Sequence, residues 1–300
     1  MLSILIPTYN YNIEALVVEL HHQASACNID FEIICYDDCS TNQEIVAANK
    51  SINSLQNTTY KILESNIGRS AIRNLLAKDT RYDLLLFLDA DVILKSNNFI
   101  HNYISDIDSN YKVFFGGFIY DKTETYLQTN LRGKYGLKYE QVDAEKRNLS
   151  PYRLIISANF LIEKKLFIKL NSQITENRYG LDNVFGALLK TNNIDVLHIN
   201  NGVYHNGLED NISFIDKSEQ ATKTLLWMLK QEKIDTHSNN LLKVFQLFKS
   251  IKINFILNGF YKIFCEPMKK NLTSNSPNLY ILQLYKLSYM CYIDINNNHV

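Results

Sequence analysis

The sequence predicts an α/β protein with a mostly parallel sheet flanked by helices, and two observations support this fold class. Short apolar runs alternate with segments of helical periodicity through the first half of the chain. One run, residues 84–88, is apolar at five consecutive positions, as in a strand that is buried on both faces. The composition is 46% hydrophobic and 21% charged, which is typical of an ordinary globular protein.

The elements of the first half follow one another in a regular order. Helices are predicted between the strands, and the first is indicated by the shared face of Leu16, Val17, Leu20 and Ala24. The predicted strands are 2–6, 31–36, 59–63 and 84–88. The predicted helices are 13–26, 43–55 and 70–77.

The second half is less regular. Its predicted strands are 113–120, 154–162 and 194–199, and its predicted helices are one ending at 170, then 181–190, 213–233 and 241–264. Gly116 and Gly117 lie inside the first of these strands and indicate a close approach of backbone or ligand. From residue 241 onward, seven lysines face only two acids. We therefore expect one α/β domain over residues 1–235 and a basic, amphipathic, helical extension over residues 236–300.

Composition and charge narrow the function classes. The formal net charge is zero, so no overall attraction to nucleic acid is expected. The five cysteines are odd in number and form no Cys-x-x-Cys pair, which indicates reduced thiols in the cytoplasm. No basic leader and no run of about 18 apolar residues is present, so we expect neither a signal peptide nor a spanning helix.

Two aspartates directly follow the apolar run 84–88. Asp89 and Asp91 are too costly to bury unpaired within an apolar strand, so they belong at its carboxyl end. Open parallel sheets bind ligands at that edge, where Thr8 and Asp38 from two other strands also lie. Asp-x-Asp there is suited to holding a divalent cation against a diphosphate, because hard cations prefer oxygen ligands. The alternative is an acidic turn or helix cap.

The strings SILIPTYN, ICYDDCST, NIGRSAIRN and FLDADV occur in one order and spacing within the first 92 residues. In this they resemble the inverting glycosyltransferases of family 2, which have the GT-A fold. The later strings YGLDNVFGALL and HINNGVYHNGLEDNISFIDKSEQA resemble the carboxyl half of bacterial members that build surface polysaccharides. The resemblance covers about residues 1–230. It implies a GT-A domain that takes a nucleotide-sugar donor, with UDP as the expected carrier.

The resemblance also implies a nucleotide site at the ends of the first strands. Asp38 resembles a residue that hydrogen-bonds uracil or its ribose, and Asp89 one that contacts ribose or metal-bound water. Arg69 and Arg73 share a helix face where the family has a basic residue near the nucleotide. Structural alternatives are an Asx turn for Asp38 and surface ion pairs for the arginines. The full implied set is Pro7, Thr8, Tyr9, Asp38, Arg69, Arg73 and Asp89, with the first three against the base.

The resemblance implies that a divalent cation, Mn²⁺ or Mg²⁺, is the cofactor. Asp91 resembles the direct metal ligand. His205 lies where the resembling enzymes place a histidine near the diphosphate or in the metal shell, and imidazole suits Mn²⁺ better than Mg²⁺. His198 is a competing candidate, and a structural role is the alternative for either histidine.

Asp182 is the candidate catalytic base. The family commonly has Glu-Asp before an apolar helix, and this chain has the string LDN. Alignment on Phe185 places Asp182 at the base, whereas alignment on Tyr179 would place Asn183 there. We prefer the first alignment because an amide cannot act as a general base. The alternative is that Asp182 caps the helix.

The implied reaction is the inverting transfer of a hexosyl or related residue to a hydroxyl of a saccharide or lipid-linked saccharide. Arg132, Tyr135 and Asn159 are candidates for contacts with sugar or acceptor. A catalytically silent GT-A module that binds nucleotide or a partner transferase is the alternative. A sugar nucleotidylyltransferase is disfavoured, because PTYN stands in place of its glycine-rich loop.

Residues 241–264 combine Leu, Phe and Ile with lysines at helical spacing. One interpretation is a helix that packs on the catalytic domain. The other is peripheral contact with the inner face of a membrane, since basic amphipathic helices bind anionic leaflets. A lipid-linked acceptor would make such a contact useful.

Overall fold

The computed structural model describes residues 1–105, 111–121, 126–174, 178–232 and 239–296. Backbone contacts divide the chain into two compact units. The first unit is Met1–Ile119, Val142–Asn177 and Leu189–Gly207, and the second is Tyr120–Gln141, Arg178–Leu188 and Leu208–Val300. The predicted domain boundary between 235 and 236 lies outside the described residues, as does residue 233 of the predicted helix 213–233.

All strands of the described residues belong to the first unit. They are β1 (Leu2–Thr8), β2 (Phe31–Asp37), β3 (Thr58–Ile62), β4 (Leu84–Leu88), β5 (Val92–Leu94), β6 (Val113–Phe115), β7 (Phe118–Ile119), β8 (Asn159–Glu163), β9 (Val196–His198) and β10 (Val203–His205). Among these residues, seven strands form the larger sheet in the order β3-β2-β1-β4-β8-β6-β9. The strands β5, β10 and β7 form a second, smaller sheet.

The larger sheet is mostly parallel, which confirms the predicted fold class. β1 pairs in parallel with β2 and β4, β2 with β3, and β6 with β9, whereas β8 runs antiparallel between β4 and β6. The register sets Thr8 opposite Asp37 and Leu5 opposite Phe87. The carboxyl ends of β1, β2 and β4 therefore meet at one edge, as the alternation of strands and helices predicts.

Helices cover both faces of this sheet. Those of the whole described chain are α1 (Glu14–Ala26), α2 (Gln43–Asn49), α3 (Arg69–Lys78), α4 (Phe99–Ile104), α5 (Tyr126–Thr129), α6 (Leu131–Tyr135), α7 (Ala144–Asn148), α8 (Lys164–Asn171), α9 (Asp182–Thr191), α10 (Asn211–Lys230), α11 (Asn240–Ser250), α12 (Asn254–Leu272) and α13 (Leu279–Asn296). A 3₁₀ turn (Lys50–Ser54) follows α2, and a π turn (Gly136–Glu140) follows α6.

The two faces of β4 pack against different helices. Leu86 packs in one core with residues of α1 and α4. Phe87 points to the other face, because successive strand residues alternate, and its ring lies 4.5 Å from that of Phe167 on α8. α8 in turn contacts α3. Helices on both faces explain why this strand is an unbroken apolar run.

The predicted single strand 113–120 is wrong, since β6 and β7 belong to different sheets. The strand is interrupted at Gly116 and Gly117. Gly117 has φ +90°, a value that favours glycine. A Cβ at Gly116 would lie 2.5 Å from the carbonyl oxygen of Asn201. The close backbone approach that the two glycines indicate is therefore confirmed.

The second unit is helical in its described part, and α10 to α13 supply most of it. The helical carboxyl-terminal region is therefore confirmed. A single helix over 241–264 is wrong, because α11 ends at Ser250 and α12 begins at Asn254, with Lys252 between them at φ +63°. Among the described residues, no helix is both long enough and apolar enough to cross a bilayer.

Candidate functional site

The carboxyl edge of the larger sheet brings together most of the predicted site residues. The N–H of Asp38, just after β2, donates to the carbonyl of Thr8 at the end of β1 (2.9 Å). The N–H of Asp89, just after β4, donates to the carbonyl of Ala158 (3.0 Å). Pro7 lies within β1, and Tyr9 directly follows it with half of its surface exposed. This edge is where open α/β sheets hold ligands.

Asp38 connects β2 to the turn that precedes α3. Its two carboxylate oxygens accept hydrogen bonds from the N–H groups of Ile67 (2.7 Å) and Gly68 (2.9 Å). Gly68 has φ +84°, so the turn that presents these two N–H groups needs glycine. Each carboxylate oxygen can accept a second hydrogen bond, so Asp38 can hold this turn and still receive a ligand donor.

Asp37 is a buried residue of this edge that the sequence reasoning missed. Its carboxylate accepts hydrogen bonds from the N–H of Ser40 (2.7 Å) and from the hydroxyl of Tyr60. The hydroxyl of Ser40 accepts the N–H of Asn10 (2.7 Å), so the loops after β1 and β2 are joined. The string YDDCS does contain both acids, but only the packing of Tyr60 shows that the first one is structural.

Asp89 forms ion pairs with both predicted arginines. Arg69 lies 3.0 Å from one carboxylate oxygen, and Arg73 contacts the other. Burial raises the pKa of Asp89, but the charges of Arg69, Arg73 and His205 outweigh it and hold that pKa below its ordinary value. Arg69 also donates to the hydroxyl of Ser157 (2.8 Å), a contact between distant segments that the sequence reasoning missed.

The two arginines differ in exposure. Arg73 has a side chain only 7% exposed, and it also donates to the carbonyl of Ser157 (3.3 Å). The side chain of Arg69 is 52% exposed. Arg73 therefore anchors Asp89 from beneath, while Arg69 presents positive charge at the surface of the edge. Such a charge suits an anionic ligand.

Asp91 and His205 lie side by side. A carboxylate oxygen of Asp91 is 3.4 Å from Nε2 of His205, and the N–H of Asn206 donates to the carbonyl of Asp91 (2.8 Å). The smaller sheet produces this pairing, because His205 in β10 stands opposite Val92 in β5. Gly207 follows at φ +105°, and a Cβ there would lie 3.9 Å from the Asp91 carboxylate.

The competing histidine has a different environment. His198 is 1% exposed, and Nδ1 accepts a hydrogen bond from Arg147 (2.9 Å). Its Nε2 therefore carries the proton and donates to the carbonyl of Pro151 (2.8 Å). Burial lowers the pKa of His198 to about 4, and the Arg147 charge acts in the same direction. Both ring nitrogens of His198 form hydrogen bonds within the fold, so His198 has no nitrogen left for a metal. The candidate metal ligand is therefore His205, which lies beside Asp91.

A divalent cation fits the Asp91–His205 pair. A carboxylate oxygen and an imidazole nitrogen are a donor set that suits Mn²⁺, and Mg²⁺ less well. Within the described residues, no group of three or more His, Cys, Asp or Glu side chains is arranged as a metal site. Such a pair matches cations that a protein holds by one or two side chains while substrate phosphates and water complete the shell.

Asp182 belongs to the second unit, where it is the first residue of α9 and is half-buried. Gly180 precedes it at φ +89°, and the carbonyl of Gly180 accepts hydrogen bonds from the N–H (3.3 Å) and side-chain amide (3.2 Å) of Asn183. The Asn183 side chain also accepts a hydrogen bond from Asn239 (3.3 Å). Asn183 is therefore tied to the turn, and Asp182 is the acid in the first turn of the helix.

Two of the three candidates for sugar or acceptor contacts have buried side chains. Asn159 is fully buried, and its amide donates to the carbonyls of Gly117 (3.2 Å) and Asn201 (2.8 Å). Asn159 is therefore a structural residue. In the second unit, Arg132 is buried in an ion pair with Glu140 (2.9 Å).

A family model described as Glycosyl transferase family 2 matches residues 3–170. An uncharacterized glycosyltransferase of Haemophilus influenzae is 28% identical over 188 residues, which cover 59% of this chain and 58% of that protein. The chain thus spans less than two thirds of the length of this relative.

Two solved structures have a similar fold. One is the structure of TarS residues 1–349 of Staphylococcus aureus in complex with UDP-GlcNAc. It has a TM-score of 0.51 at 18% identity, and the match covers 97% of this chain and 90% of the TarS chain. The other is the mannosyltransferase PcManGT of Pyrobaculum calidifontis in complex with GDP-Man and Mn²⁺. It has a TM-score of 0.58 at 9% identity, and the match covers 99% of this chain and 87% of the PcManGT chain. These similarities confirm the predicted GT-A fold.

Proposed function

The chain belongs to glycosyl transferase family 2, and from this premise we propose that it is a metal-dependent, inverting enzyme. It transfers a hexosyl or related residue from a nucleotide-sugar to a hydroxyl of a saccharide or lipid-linked saccharide, in the synthesis of a surface polysaccharide or another glycan. The observation that carries the proposal is the pairing of Asp91 with His205 at the same sheet edge as the Asp89 ion-pair cluster.

The donor is a nucleotide-sugar, and UDP is the expected carrier. Two proteins of similar fold hold UDP-GlcNAc and GDP-Man, which supports this donor class. In this chain, Tyr9 offers an exposed ring at the end of β1 for the base, and Asp38 offers acceptor capacity for its N–H or a ribose hydroxyl. Asp89 is held between Arg69 and Arg73, which keeps one carboxylate and one exposed guanidinium in fixed positions for the ribose and phosphates.

Asp91 and His205 would hold the cation. Mn²⁺ or Mg²⁺, when bound, supplies positive charge that stabilises the departing diphosphate. The protein contributes a fixed geometry: Asn206 fixes the Asp91 backbone, and the ring of Phe118 lies 4.9 Å from that of His205. Gly207 leaves space next to the Asp91 carboxylate.

Asp182 is the proposed base. The acceptor oxygen forms a bond to the anomeric carbon while the bond to the diphosphate oxygen breaks, and the acceptor proton passes to the Asp182 carboxylate. The nucleoside diphosphate leaves with the electron pair. A single displacement of this kind inverts the anomeric carbon and requires no covalent nucleophile. The half-buried position of Asp182 in the first turn of α9 supports the assignment.

We place this enzyme in the cytoplasm, because all five cysteines are free thiols, as expected in a reducing compartment.

The test is release of UDP from a panel of UDP-sugars with Mn²⁺ and a panel of saccharide acceptors. Asp182→Asn should lower kcat by at least about a hundredfold, the scale of a lost general base, while UDP affinity stays constant. Asp216→Asn, an exposed acid on α10, is the matched control and should keep full activity. Nucleotide binding without turnover of any donor would favour the catalytically silent module, and normal turnover by Asp182→Asn would remove Asp182 as the base.

A further inference from the structure

The second unit exposes large apolar side chains on α11, on α12 and in the turn between them. Six apolar side chains, each 44–71% exposed, make up what we call the apolar face: Leu247, Ile251, Phe255, Ile256, Ile263 and Phe264. Soluble proteins expose single apolar residues routinely, but several exposed apolar residues along one side of a helix indicate a contact surface.

The apolar face of α12 is distinct from the face that α12 buries. Ile256 and Ile263 are seven residues apart, so they share one side of the helix. The buried residues Tyr261, Met268 and Leu272 lie on the other side, where α12 packs on α13. Both sides of this helix are therefore apolar, and only one of them serves the core of the unit.

The charge around the apolar face is mostly positive. Residues 240–272 contain six lysines and a single acid, Glu266. Two of the lysines pair with acids of other helices. The other four are exposed at both ends and along the edges of α11 and α12: Lys243, Lys252, Lys262 and Lys270.

We infer that this face docks on an anionic lipid bilayer. An apolar strip bordered by lysines matches a leaflet in which acyl chains lie beneath negative headgroups. A second copy of the chain fits less well, because a two-fold contact would set lysines against lysines. No described helix could cross the bilayer, so α12 lies along the surface with Ile256 and Ile263 towards the acyl chains. The docking does not depend on the proposed glycosyl transfer.

The structure also provides a position for a gain of binding. Gly259 lies between Ile256 and Ile263, and a Cβ at this position would meet nothing within 4 Å. Gly259→Leu therefore adds apolar surface to the face without a clash. It should also stabilise α12, because glycine is a poor helix former.

The experiment is co-sedimentation of the full chain with vesicles of phosphatidylcholine alone or mixed with phosphatidylglycerol, in low and high salt. The chain should bind only the anionic vesicles, and salt should weaken binding. Ile256→Asp with Ile263→Asp should reduce partition by about a hundredfold, since two apolar anchors are lost and two negative charges are added. Val18→Asp with Leu149→Asp, which also replaces two exposed apolar residues by aspartate but outside the face, is the control.

Further variants test separately what the lysines and the apolar surface contribute to vesicle binding. Lys252→Gln with Lys262→Gln should reduce partition about 25-fold, as each lysine near the surface contributes about fivefold. Lys50→Gln with Lys165→Gln, at exposed positions elsewhere, should have no effect. Gly259→Leu should bind anionic vesicles several-fold more tightly, with no more sedimentation than the wild type when vesicles are absent.

Three outcomes would overturn the inference. The first is equal binding to neutral and anionic vesicles, and the second is no change in partition for the Ile256, Ile263 and Gly259 variants. The third is a dimer in sedimentation velocity that the aspartate pair dissociates while vesicles bind neither form, which would assign the face to a second copy. Vesicle binding needs no nucleotide-sugar, so its failure is distinguishable from a failure of the proposed activity.

Discussion

His198, the buried histidine of the first unit, makes a contribution to the pH dependence of stability that can be calculated. Nδ1 of His198 accepts a hydrogen bond from the Arg147 guanidinium, so a proton at Nδ1 would break this bond and set two cations face to face. Burial and Arg147 together lower the pKa of His198 to about 4 in the folded protein, against about 6.5 in the unfolded chain. The unfolded state binds this proton more readily than the folded state does. The stability that neutral His198 contributes is therefore present at neutral pH and is lost progressively as the pH falls below about 6.5.

The size of the effect follows from the two pKa values. With about 1.36 kcal/mol for each unit of pKa difference, the His198 contribution lost between pH 7 and pH 5 is about 2 kcal/mol. Urea unfolding at both pH values, for the wild type and for His198→Gln, measures it. The glutamine variant should show a pH dependence smaller by about 2 kcal/mol, because it has no group that titrates. His22→Gln, at an exposed histidine, is the control. If both variants and the wild type lose the same free energy on acidification, His198 is not the buried neutral group described.

Two further predictions concern the sheet edge. Arg73→Gln removes the buried partner of Asp89, and urea unfolding should show a loss of about 3 kcal/mol, the cost of breaking a buried ion pair, whereas Arg69→Gln, on the exposed arginine, should cost less than about 1 kcal/mol. An equal cost for both would contradict the anchoring role of Arg73. His205→Ala should weaken Mn²⁺ binding in the presence of UDP by more than about tenfold in calorimetry, since even loss of an outer partner of a metal ligand costs that much. Unchanged Mn²⁺ affinity would exclude His205 as a ligand.

The local pattern of the sequence was sufficient to predict the central sheet. The strands β1, β2 and β4 are short and mostly apolar runs, and the acids Asp38 and Asp89 could be placed at strand ends because an unpaired carboxylate is too costly inside. The carboxyl edge followed from the handedness of the crossovers. These steps need only neighbouring residues and general rules.

Contacts between segments that are far apart in sequence could not be predicted from such local patterns. Residues 113–120 are almost continuously apolar, and the break at Gly116 arises from the approach of Asn159 and Asn201, far away in sequence. The pairing of β10 with β5 brings His205 to Asp91, and nothing in either segment alone specifies it. Helical periodicity also continues across residues 251–253, although the backbone of Lys252 interrupts the helix.

We propose that Asp91 and His205 together hold a cation against the diphosphate of the donor. A crystal structure of the chain soaked with a UDP-sugar and Mn²⁺ tests this most directly. We predict anomalous density for Mn²⁺ within bonding distance of the Asp91 carboxylate and of Nε2 of His205, with the diphosphate oxygens completing the shell. Nucleotide bound away from this edge, or Mn²⁺ that contacts neither side chain, would contradict it.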